Sequence, residues 1–431
     1  MMTAPTRDLL LNAFDTAVMA VHPRAALARY LPPVPDTGRL IVLAAGKAAG
    51  AMAQAAEMHY LGLGLSADRL SGLSISRYGY GAELTVLDNR EAGHPKPDQA
   101  GVDATCDLMA LANSATRDDL VLCLLSGGGS AVLCAPAPGV TLADKQGLTS
   151  ELLAAGAPID AINTVRKCVS AIKGGRLATL CAPARLVTLA ISDVPGDDPA
   201  VIASGPTVPA GISAEDAKSV LTRYDITPSP AIASWLDSPD ADPPPQDDAA
   251  FANSAFHLVA RPRDALEAAS VVLSQSGFEI IDLGDGIEGE ARDMATEHAQ
   301  QARKLAAEGR RAVLLSGGEL TVTLRGDGRG GPNQEYALAL ALALDGAAGI
   351  SALAADTDGT DGGSGATTDP AGALVFPDTL SRAQALGLDA QDFLNRNDST
   401  QFFQTLGHLV APGPTQTNVN DLRIVLVDRR P

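Results

Sequence analysis

Runs of consecutive apolar residues recur in the first half of the chain, each followed by glycine or small polar residues. Residues 40–45, 120–125 and 186–191 are such runs, and the first leads through Gly46-Lys47 into an alanine-rich helical pattern that reaches about His59. Strands that are apolar on both faces and alternate with helices are typical of parallel sheets covered by helices. The pattern therefore predicts an α/β fold built on a parallel sheet with helices on both faces.

A second α/β domain is predicted after a polar segment that divides the chain. Residues 237–248 are rich in Pro and Asp and show no apolar period, so they are not expected to pack as a core element. We place a linker at 237–250, between an N-terminal domain at 1–236 and a C-terminal domain at 251–431. The predicted strands and helices of the second domain alternate, at 255–260, 263–274, 278–283, 287–307 and 312–315.

Composition and charge restrict the classes of function. The 431 residues fit two or three domains. The net charge of −19 repels nucleic acids and anionic membrane surfaces. The longest apolar runs, such as 336–344, are far shorter than the roughly 18 residues of a membrane span. No export signal is recognised, and 5 cysteines without C-x-x-C spacing are typical of a reducing compartment. We expect a cytoplasmic protein with small-molecule partners and no nucleic-acid or membrane partner; a homodimer is left open.

Candidate chemistry lies in the loops that follow strands, where ligands bind in open α/β sheets. Lys47, after the first strand, would place an ammonium group beside the N–H groups of a helix start. A solvated lysine and a tight glycine turn are the alternative interpretations here. The apolar strand with its glycine pair recurs at 314–318, so two similar turns are predicted to face one another across a cleft. The first glycine segment offers unshielded N–H groups to phosphate oxygens and comprises Ser126, Gly127, Gly128, Gly129 and Ser130.

Cations flank an apolar stripe in the segment 163–176, which we predict to be one helix. At about 100° per residue, Asn163, Arg166, Ser170 and Lys173 lie together beside that stripe. In a chain of strongly negative net charge, Arg166 and Lys173 are placed to hold an anionic ligand at the edge of a cleft. The alternative is a boundary stripe whose charged ends reach solvent.

Two acidic loops follow predicted strands, one at 192–198 and the other at 355–363. Clustered carboxylates repel one another unless a cation lies among them, and oxygen ligands suit Mg²⁺ that arrives with a nucleotide. Asx turns that cap the loops are the alternative explanation. The candidate metal ligands are Asp193, Asp198, Asp358 and Asp361.

A third segment, 321–335, contains a G-x-G-x-x-G match at Gly326, Gly328 and Gly331. A dinucleotide-binding motif would have an acidic residue at the end of the next strand about 20 residues later, whereas Asp345 closes the predicted helix. We therefore do not expect dinucleotide binding at this segment. Arg325, predicted at a strand end beside the flexible loop, is suited to clamp a phosphoryl group during transfer.

Taken in order, these segments resemble the glycerate 2-kinases of the MOFRL type, many of which are labelled hydroxypyruvate reductase. The resemblance covers nearly the whole chain and rests on the loops described above together with further motifs. It implies a Rossmann-like N-terminal domain, a C-terminal α/β domain and an active site in the cleft between them. The further motifs are A-G-K-A at 45–48, G-H-P at 93–95, S-G-G-E at 316–319, G-G-P-N-Q-E at 330–335 and the segment 417–421.

The resemblance also implies an activity, namely transfer of a phosphoryl group from ATP to D-glycerate with Mg²⁺ or another divalent cation, to give 2-phosphoglycerate. Lys47 and Arg325 map onto the expected catalytic cations. Asp193 or Asp358 is expected to accept the proton of the 2-hydroxyl. The other residues from which we expect contacts with phosphates or substrate are Gly317, Gly318, Glu319, Asn333, Gln334 and Asp356.

Two alternatives belong to other classes of function. An NAD(P)H-dependent hydroxypyruvate reductase fits the Rossmann-like half and the common label, but hydride transfer usually needs a proton donor and only His94 lies in a motif-like setting. The second alternative is a regulatory domain that binds sugar acids or nucleotides without chemistry. Such a domain needs fewer converging cations and carboxylates than the loops of this chain carry. Turnover assays with both sets of substrates distinguish the three hypotheses.

Overall fold

A computed structural model describes residues 3–363 and 366–428, and the chain divides into two compact units. The first unit comprises Ala26–Val259, and the second unit comprises Met1–Ala25 together with Ala260–Pro431. These limits differ from the predicted domains, because the N-terminal helix packs on the helix Pro262–Gln275 and so joins the C-terminal half. An amphipathic contact between segments so far apart leaves no local trace in the sequence.

The unit Ala26–Val259 is organised around a parallel sheet. Within the described residues its six strands are β1 (Leu40–Ala45), β2 (Leu70–Arg77), β3 (Asp88–Ala92), β4 (Leu120–Leu125), β5 (Arg185–Ile191) and β6 (Ser254–Ala260). Their order is β3-β2-β1-β4-β5-β6, and the pairs from β3 to β5 are parallel. This is the Rossmann order, which reverses direction between β1 and β4. Both of those strands are buried along their whole length, as their apolar runs predict.

Helices cover this sheet, and the predicted β-turn-α units are confirmed after β1 and β4. The predicted helix over 163–176 is wrong in its extent, because it ends at Cys168 and left-handed Gly174 and Gly175 separate it from the next helix. The helices of the first 259 residues are α1 (Thr3–Ala20), α2 (Pro23–Ala26), α3 (Ala49–Gly62), α4 (Gln99–Asn113), α5 (Gly129–Val132), α6 (Leu142–Ala154), α7 (Ile159–Cys168), α8 (Arg176–Cys181), α9 (Ala214–Arg223), α10 (Pro230–Leu236) and α11 (Ala249–Ala252).

The polar segment 237–250 packs inside the first unit. Ala241 is fully buried, and the Arg176 guanidinium donates to the carbonyl oxygens of Asp240 and Ala241 at 3.2 and 2.7 Å. The Asp242 carboxylate accepts from the Ala214 N–H at 2.7 Å. Backbone carbonyls and one carboxylate therefore anchor a segment that has no apolar period of its own.

The second unit contains a mixed sheet. Its strands in the described part of the chain are β7 (Glu279–Gly284), β8 (Gly289–Glu290), β9 (Arg311–Ser316), β10 (Leu320–Thr321), β11 (Ile350–Asp356), β12 (Gly372–Val375), β13 (Leu409–Val410) and β14 (Asp421–Asp428). The sheet order is β13-β12-β11-β14-β9-β7; β7 and β9 are parallel and the other neighbours antiparallel. β8 and β10 form a separate short pair.

The helices of this unit pack an apolar core against the sheet. They are α1, given above, and α12 (Pro262–Gln275), α13 (Ala291–Ala307), α14 (Pro332–Leu344), α15 (Thr379–Ala385), α16 (Ala390–Asn395) and α17 (Ser399–Leu406). The run 336–344 lies in α14, which is buried on nearly every side against α13 and the sheet, as expected of a helix that is apolar all round. The helices that the structure describes all fall short of the length and apolarity that a membrane span requires.

Candidate active site

The two loops that follow β1 and β4 meet at the point where the strand order reverses. The Lys47 N–H donates to the Gly127 carbonyl at 2.8 Å, and the Ser126 hydroxyl accepts from the Ala48 N–H at 3.0 Å. Gly46 has φ 129°, and a Cβ there would lie 2.3 Å from the Ser126 Oγ. Glycine is therefore required for the close approach that brings Lys47 onto the glycine segment.

The side chains of Lys47 and His94 both lie against Gly128. A Cβ built on Gly128, which has φ 72°, would be 2.8 Å from the His94 ring and 3.3 Å from the Lys47 Cγ. The structure thus brings together three motifs that are separate in the sequence, A-G-K-A, G-H-P and the glycine segment. In open α/β sheets this crevice is where a ligand binds.

Ser130, the last residue of the glycine segment, collects the predicted anion-binding cations. The Arg166 guanidinium donates to its Oγ at 2.8 Å, and the Lys173 ammonium donates to its carbonyl at 2.8 Å and to the Leu133 carbonyl at 3.1 Å. The Ser204 hydroxyl lies 2.7 Å from the Ser130 hydroxyl. Arg166 and Lys173 therefore converge even though they do not share a helix.

A third cation, Lys145, stands beside these two, and the sequence reasoning missed it. Lys145 is 5% exposed, and its Nζ has no hydrogen-bond partner among residues 3–363 and 366–428. Burial, together with the charges of Arg166 and Arg176, lowers the pKa of Lys145 to about 8. Burial and the charge of Arg166 also hold the pKa of Lys173 well below its usual range. One signal was available: Lys145 shares the buried stripe of α6 with Leu148 and Leu152.

The first acidic loop follows β5, at the same edge of the sheet as the loops after β1 and β4. Asp193 is half-buried and Asp198 is exposed. One carboxylate oxygen of Asp198 accepts from the Ala200 N–H at 2.9 Å, which is an Asx turn. Part of this loop therefore follows the capping interpretation, while Asp193 remains a candidate for chemistry.

In the second unit a different sheet edge gathers the predicted residues. β14 runs antiparallel between β9 and β11, so its first residues lie opposite their last ones; Asp421 pairs with Asp356, and Arg423 pairs with Ser316. The Gly317-Gly318 turn and the acidic loop after β11 therefore lie at the same edge. Gly318 has φ 92°, and a Cβ there would lie 2.2 Å from the Ile287 carbonyl oxygen, so this glycine serves a close backbone contact.

Asp361 caps the start of α14. Its two carboxylate oxygens accept from the N–H groups of Asn333 and Gln334 at 2.9 and 2.8 Å and from both side-chain amides. The Asn333 amide also donates to Asp421 at 2.6 Å, and Arg423 donates to the other oxygen of Asp421 at 2.8 Å. These five residues form a buried network, which we call the α14 hub.

Electrostatics in the α14 hub differ from those around Ser130. Burial raises the pKa of Asp361 to about 7, and the neighbouring charge of Asp421 adds to the shift although Asn333 and Gln334 donate to the carboxylate. Burial also raises the pKa of Asp421. The hub therefore places two interacting carboxyl groups away from water, each held by hydrogen bonds from the protein.

The predicted metal ligands do not form a protein cage. No group of three His, Cys, Asp or Glu side chains in the described ranges is arranged to hold a metal ion. The Asp361 oxygens are engaged by α14, and Asp358 accepts from the Thr360 N–H and hydroxyl at 2.8 and 3.0 Å. Asp356 accepts from the Asp358 N–H at 2.8 Å. The loop after β11 is thus built on Asx turns as well as on the cap of α14.

Arg325 lies in an exposed loop and not at a strand end, because β10 ends at Thr321. The Asn397 Oδ1 accepts from the N–H groups of Arg325 and Gly326 at 2.7 and 3.0 Å and fixes the backbone there. A Cβ on Gly326 would lie 2.5 Å from the Arg396 carbonyl, so the glycines of this loop allow it to pack closely beside the end of α16. Glu319, another predicted contact, is exposed, whereas Asn333 and Gln334 are buried in the α14 hub.

Comparisons with known proteins agree with this architecture. Residues 9–237 match a family described as a domain of unknown function, DUF4147, and residues 312–421 match the MOFRL family. The D-glycerate 2-kinase of Thermotoga maritima is 37% identical over 98% of this chain and 98% of its own length. A crystal structure of glycerate kinase from that organism matches with a TM-score of 0.87 and 36% identity, over 98% of this chain and 100% of that one. An Agrobacterium vitis protein, 43% identical over 98% of this chain and 94% of its own, carries the provisional name hydroxypyruvate reductase.

Proposed function

This chain belongs to the MOFRL family and its glycerate 2-kinases, and we propose that it transfers the terminal phosphoryl group of ATP to the 2-hydroxyl of D-glycerate. The observation that carries the proposal is the position of Lys47. It lies at the strand-order reversal of a Rossmann-ordered sheet, in direct backbone contact with the glycine segment. Phosphate groups bind to such loops through backbone N–H groups, and an adjacent ammonium group neutralises them.

Electrostatic stabilisation is the first contribution of the protein. In phosphoryl transfer the negative charge spreads over the transferred group, and catalysis depends on positioning and on fixed positive charge more than on covalent steps. Lys47 supplies such a charge from the first unit. Arg325 supplies a second one, and its guanidinium makes no hydrogen bond or ion pair within the described part of the chain. The Asn397 side chain nevertheless fixes the Arg325 backbone, so the position of Arg325 in the loop is defined while its guanidinium makes no contact of this kind within the protein.

Proton removal from the 2-hydroxyl is the second contribution. A carboxylate must accept this proton as the hydroxyl oxygen attacks phosphorus and the bond to the leaving ADP oxygen breaks. Asp193 and Asp358 are the proposed bases. Asp193 is half-buried after β5, at the same sheet edge as Lys47, whereas Asp358 is 1% exposed. We therefore place Asp193 first.

Magnesium fits the site only in the form that nucleotides bring with them. Mg²⁺ in such sites is held by one or two carboxylates and by substrate phosphates. In the loop after β5, Asp198 would supply one carboxylate, and Asp193 would join it where Asp358 is the base. When bound, the ion would neutralise phosphate charge. Asp361 is not a proposed ligand, because both of its oxygens are engaged in the cap of α14.

One purified sample tests the proposal against the reductase alternative. ATP, Mg²⁺ and D-glycerate should yield ADP together with 2-phosphoglycerate, identified by its position of phosphorylation, while hydroxypyruvate should not oxidise NADH. Oxidation of NADH without phosphorylation would replace the proposal with the reductase. Binding of both ligands without turnover would favour the regulatory class.

A further inference from the structure

A pocket of about 410 Å³ opens in the first unit beside the glycine segment. Ser130 and Arg166 form part of its wall, and Pro95 and Pro97, which follow His94, form another part. Since His94 and Lys47 both lie against Gly128, the pocket borders the loop on which the proposed phosphoryl transfer depends. Ser130 and Arg166 have a predicted anion-binding role, whereas the other residues that line the pocket have no role assigned above.

The deep end of the pocket carries positive charge that the protein does not balance. Lys145 and Arg166 line it, and Lys173 lies behind them on Ser130. No carboxylate lies within 4.0 Å of these three cations in the described ranges, although the chain has 51 acidic residues. Buried charges are normally paired, because the loss of hydration is costly. The arrangement therefore points to an anionic ligand beside Arg166 and Ser130, and the buried Lys145 ammonium has no hydrogen-bond partner in the described residues that would compete with that ligand.

Apolar side chains also line the pocket. Leu142 and Ile162 are two of them, and Leu153 and Ile159 are two others, with 62% and 59% of their surface exposed. The pocket therefore combines cations with an apolar wall that is partly open to solvent, the combination that is typical of small-molecule sites. D-Glycerate has no apolar face that could use this wall, whereas a nucleotide has both a flat base and phosphates.

We propose that this pocket receives the nucleoside end of the nucleoside triphosphate, with the base against Leu153 and Ile159 and Lys145 bound to a phosphate beside Ser130. The remaining phosphates would follow the glycine segment from Ser130 to Gly128 and Lys47. This assignment rests on the proposed kinase function for the identity of the nucleotide. It makes Lys145 a nucleotide-binding residue and not a catalytic one.

Calorimetric titration with ADP and with tripolyphosphate separates the two ends of the pocket. Lys145→Met should raise the Kd of both probes about tenfold, because it removes a charge that both use. The double variant Leu153→Ser/Ile159→Ser should raise the Kd of ADP about tenfold and leave that of tripolyphosphate within twofold, because only ADP has a base. Lys145→Arg should restore most of the affinity for both probes.

Controls come from the same unit. Lys218→Met removes an exposed lysine that pairs with Asp237 at 2.7 Å, and Leu63→Ser removes a leucine that is 60% exposed; both should bind ADP as the unaltered protein does. In kinetic assays the two pocket variants should raise KM for ATP while KM for D-glycerate changes less than twofold. If Lys145→Met does not fold, the double variant still decides, since its two side chains are largely exposed.

The outcomes separate this inference from the proposed function. Unaltered ADP affinity in the double variant, with ADP formation from ATP and D-glycerate intact in the parent protein, would overturn the pocket assignment alone. A parent protein that binds ADP, loses affinity in both variants and never phosphorylates D-glycerate would support the pocket and overturn the kinase proposal. A rise in KM for D-glycerate without a change in ADP affinity would assign the pocket to the acid substrate and contradict the inference.

Discussion

The surroundings of Ser130 and the α14 hub are both buried polar clusters at a sheet edge, yet their charges are balanced differently. Around Ser130, Lys145 has no partner for its Nζ and Arg166 has no carboxylate partner in the described residues. In the α14 hub, Asp361 accepts from the start of a helix and Asp421 is paired with Arg423 at 2.8 Å. The first cluster leaves its cations without carboxylate partners, whereas in the second the protein holds both carboxylates, although the Asn333 Oδ1 has no hydrogen-bond partner in the described residues.

This difference in charge balance indicates which of the two clusters binds a ligand. A buried charge without a counter-charge costs folding free energy, so a chain retains it where a ligand supplies the missing charge. In the α14 hub the protein itself holds the charged groups, through the start of α14 and through the Asp421–Arg423 pair, so these groups stabilise the structure and position their neighbours. Arg325, in the loop before α14, is a proposed catalytic group of the second unit that lies outside the hub.

The most severe test of this comparison is the charge at the strand-order reversal. Lys47→Ala should lower kcat by about 10³-fold, the order expected when one preorganised charge at a transition state is removed. Circular dichroism and the unfolding midpoint should stay unchanged, because the Lys47 backbone contact with Gly127 remains. Lys218→Ala is the matched control. Near-normal turnover in Lys47→Ala would show that Lys47 has no catalytic role.

A second test asks whether the exposed loop of the second unit acts in catalysis. Arg325→Ala should lower kcat by about 10²-fold, because it removes one charge that stabilises the transferred group. Arg329→Ala is an internal control in the same loop; its guanidinium pairs with Asp369 at 3.2 Å and is 68% exposed, so less than a twofold change is expected. Equal losses in the two variants would mean that general loop charge matters and that Arg325 has no specific role.

Much of the first unit could be predicted because its signals are local. The apolar runs at β1 and β4 and the alanine-rich α3 are set by neighbouring residues. The bounds of both strands agree with the predicted ones, and α3 ends at Gly62, three residues beyond the predicted His59. Lys145 escaped prediction because a lysine in α6 is normally read as solvated. Its place on the same stripe as Leu148 and Leu152 was the available sign of burial.

The second unit was harder, because its contacts join distant parts of the chain. Asp361 caps a helix that begins at Pro332, so the acidic pattern of its own loop indicated a metal site where the structure has a helix cap. The placement of β14 between β9 and β11 is likewise invisible to local patterns. The residues of the segment 237–250 predict a linker because they lack an apolar period, whereas the groups that anchor the segment, Arg176 and Ala214, lie outside it.

The α14 hub can be tested through pH. Because the pKa of Asp361 is raised to about 7 in the folded protein, the native state binds more protons than the unfolded state between about pH 4 and 7. The stabilisation is therefore complete below about pH 4 and is lost as pH rises through 7, with a slope of up to about 1.4 kcal/mol per pH unit for one proton. Asp361→Asn should flatten this part of the curve of unfolding free energy against pH. A curve that keeps its slope in Asp361→Asn would assign the titration to other groups.

A substitution at Lys145 distinguishes the two clusters most directly, because it is expected to raise the stability of the folded protein. Lys145→Met should stabilise the ligand-free protein by about 1 kcal/mol at pH 7, because it replaces a buried charge by an apolar group of similar length. The Lys145 pKa of about 8, lowered by burial and by Arg166 and Arg176 with Cys134 acting in the other direction, means that the unfolded state binds the extra proton. The stability of the parent protein therefore rises between about pH 8 and 10.5, and the advantage of the variant shrinks there.

Saturating ADP should make the parent protein more stable than Lys145→Met at pH 7, because the parent gains more free energy from the ligand. Denaturant unfolding at pH 7 and 10, with and without ADP, gives the free energies of unfolding of both proteins. A ligand-free variant that is less stable than the parent at pH 7 would show that the charge of Lys145 is balanced within the protein.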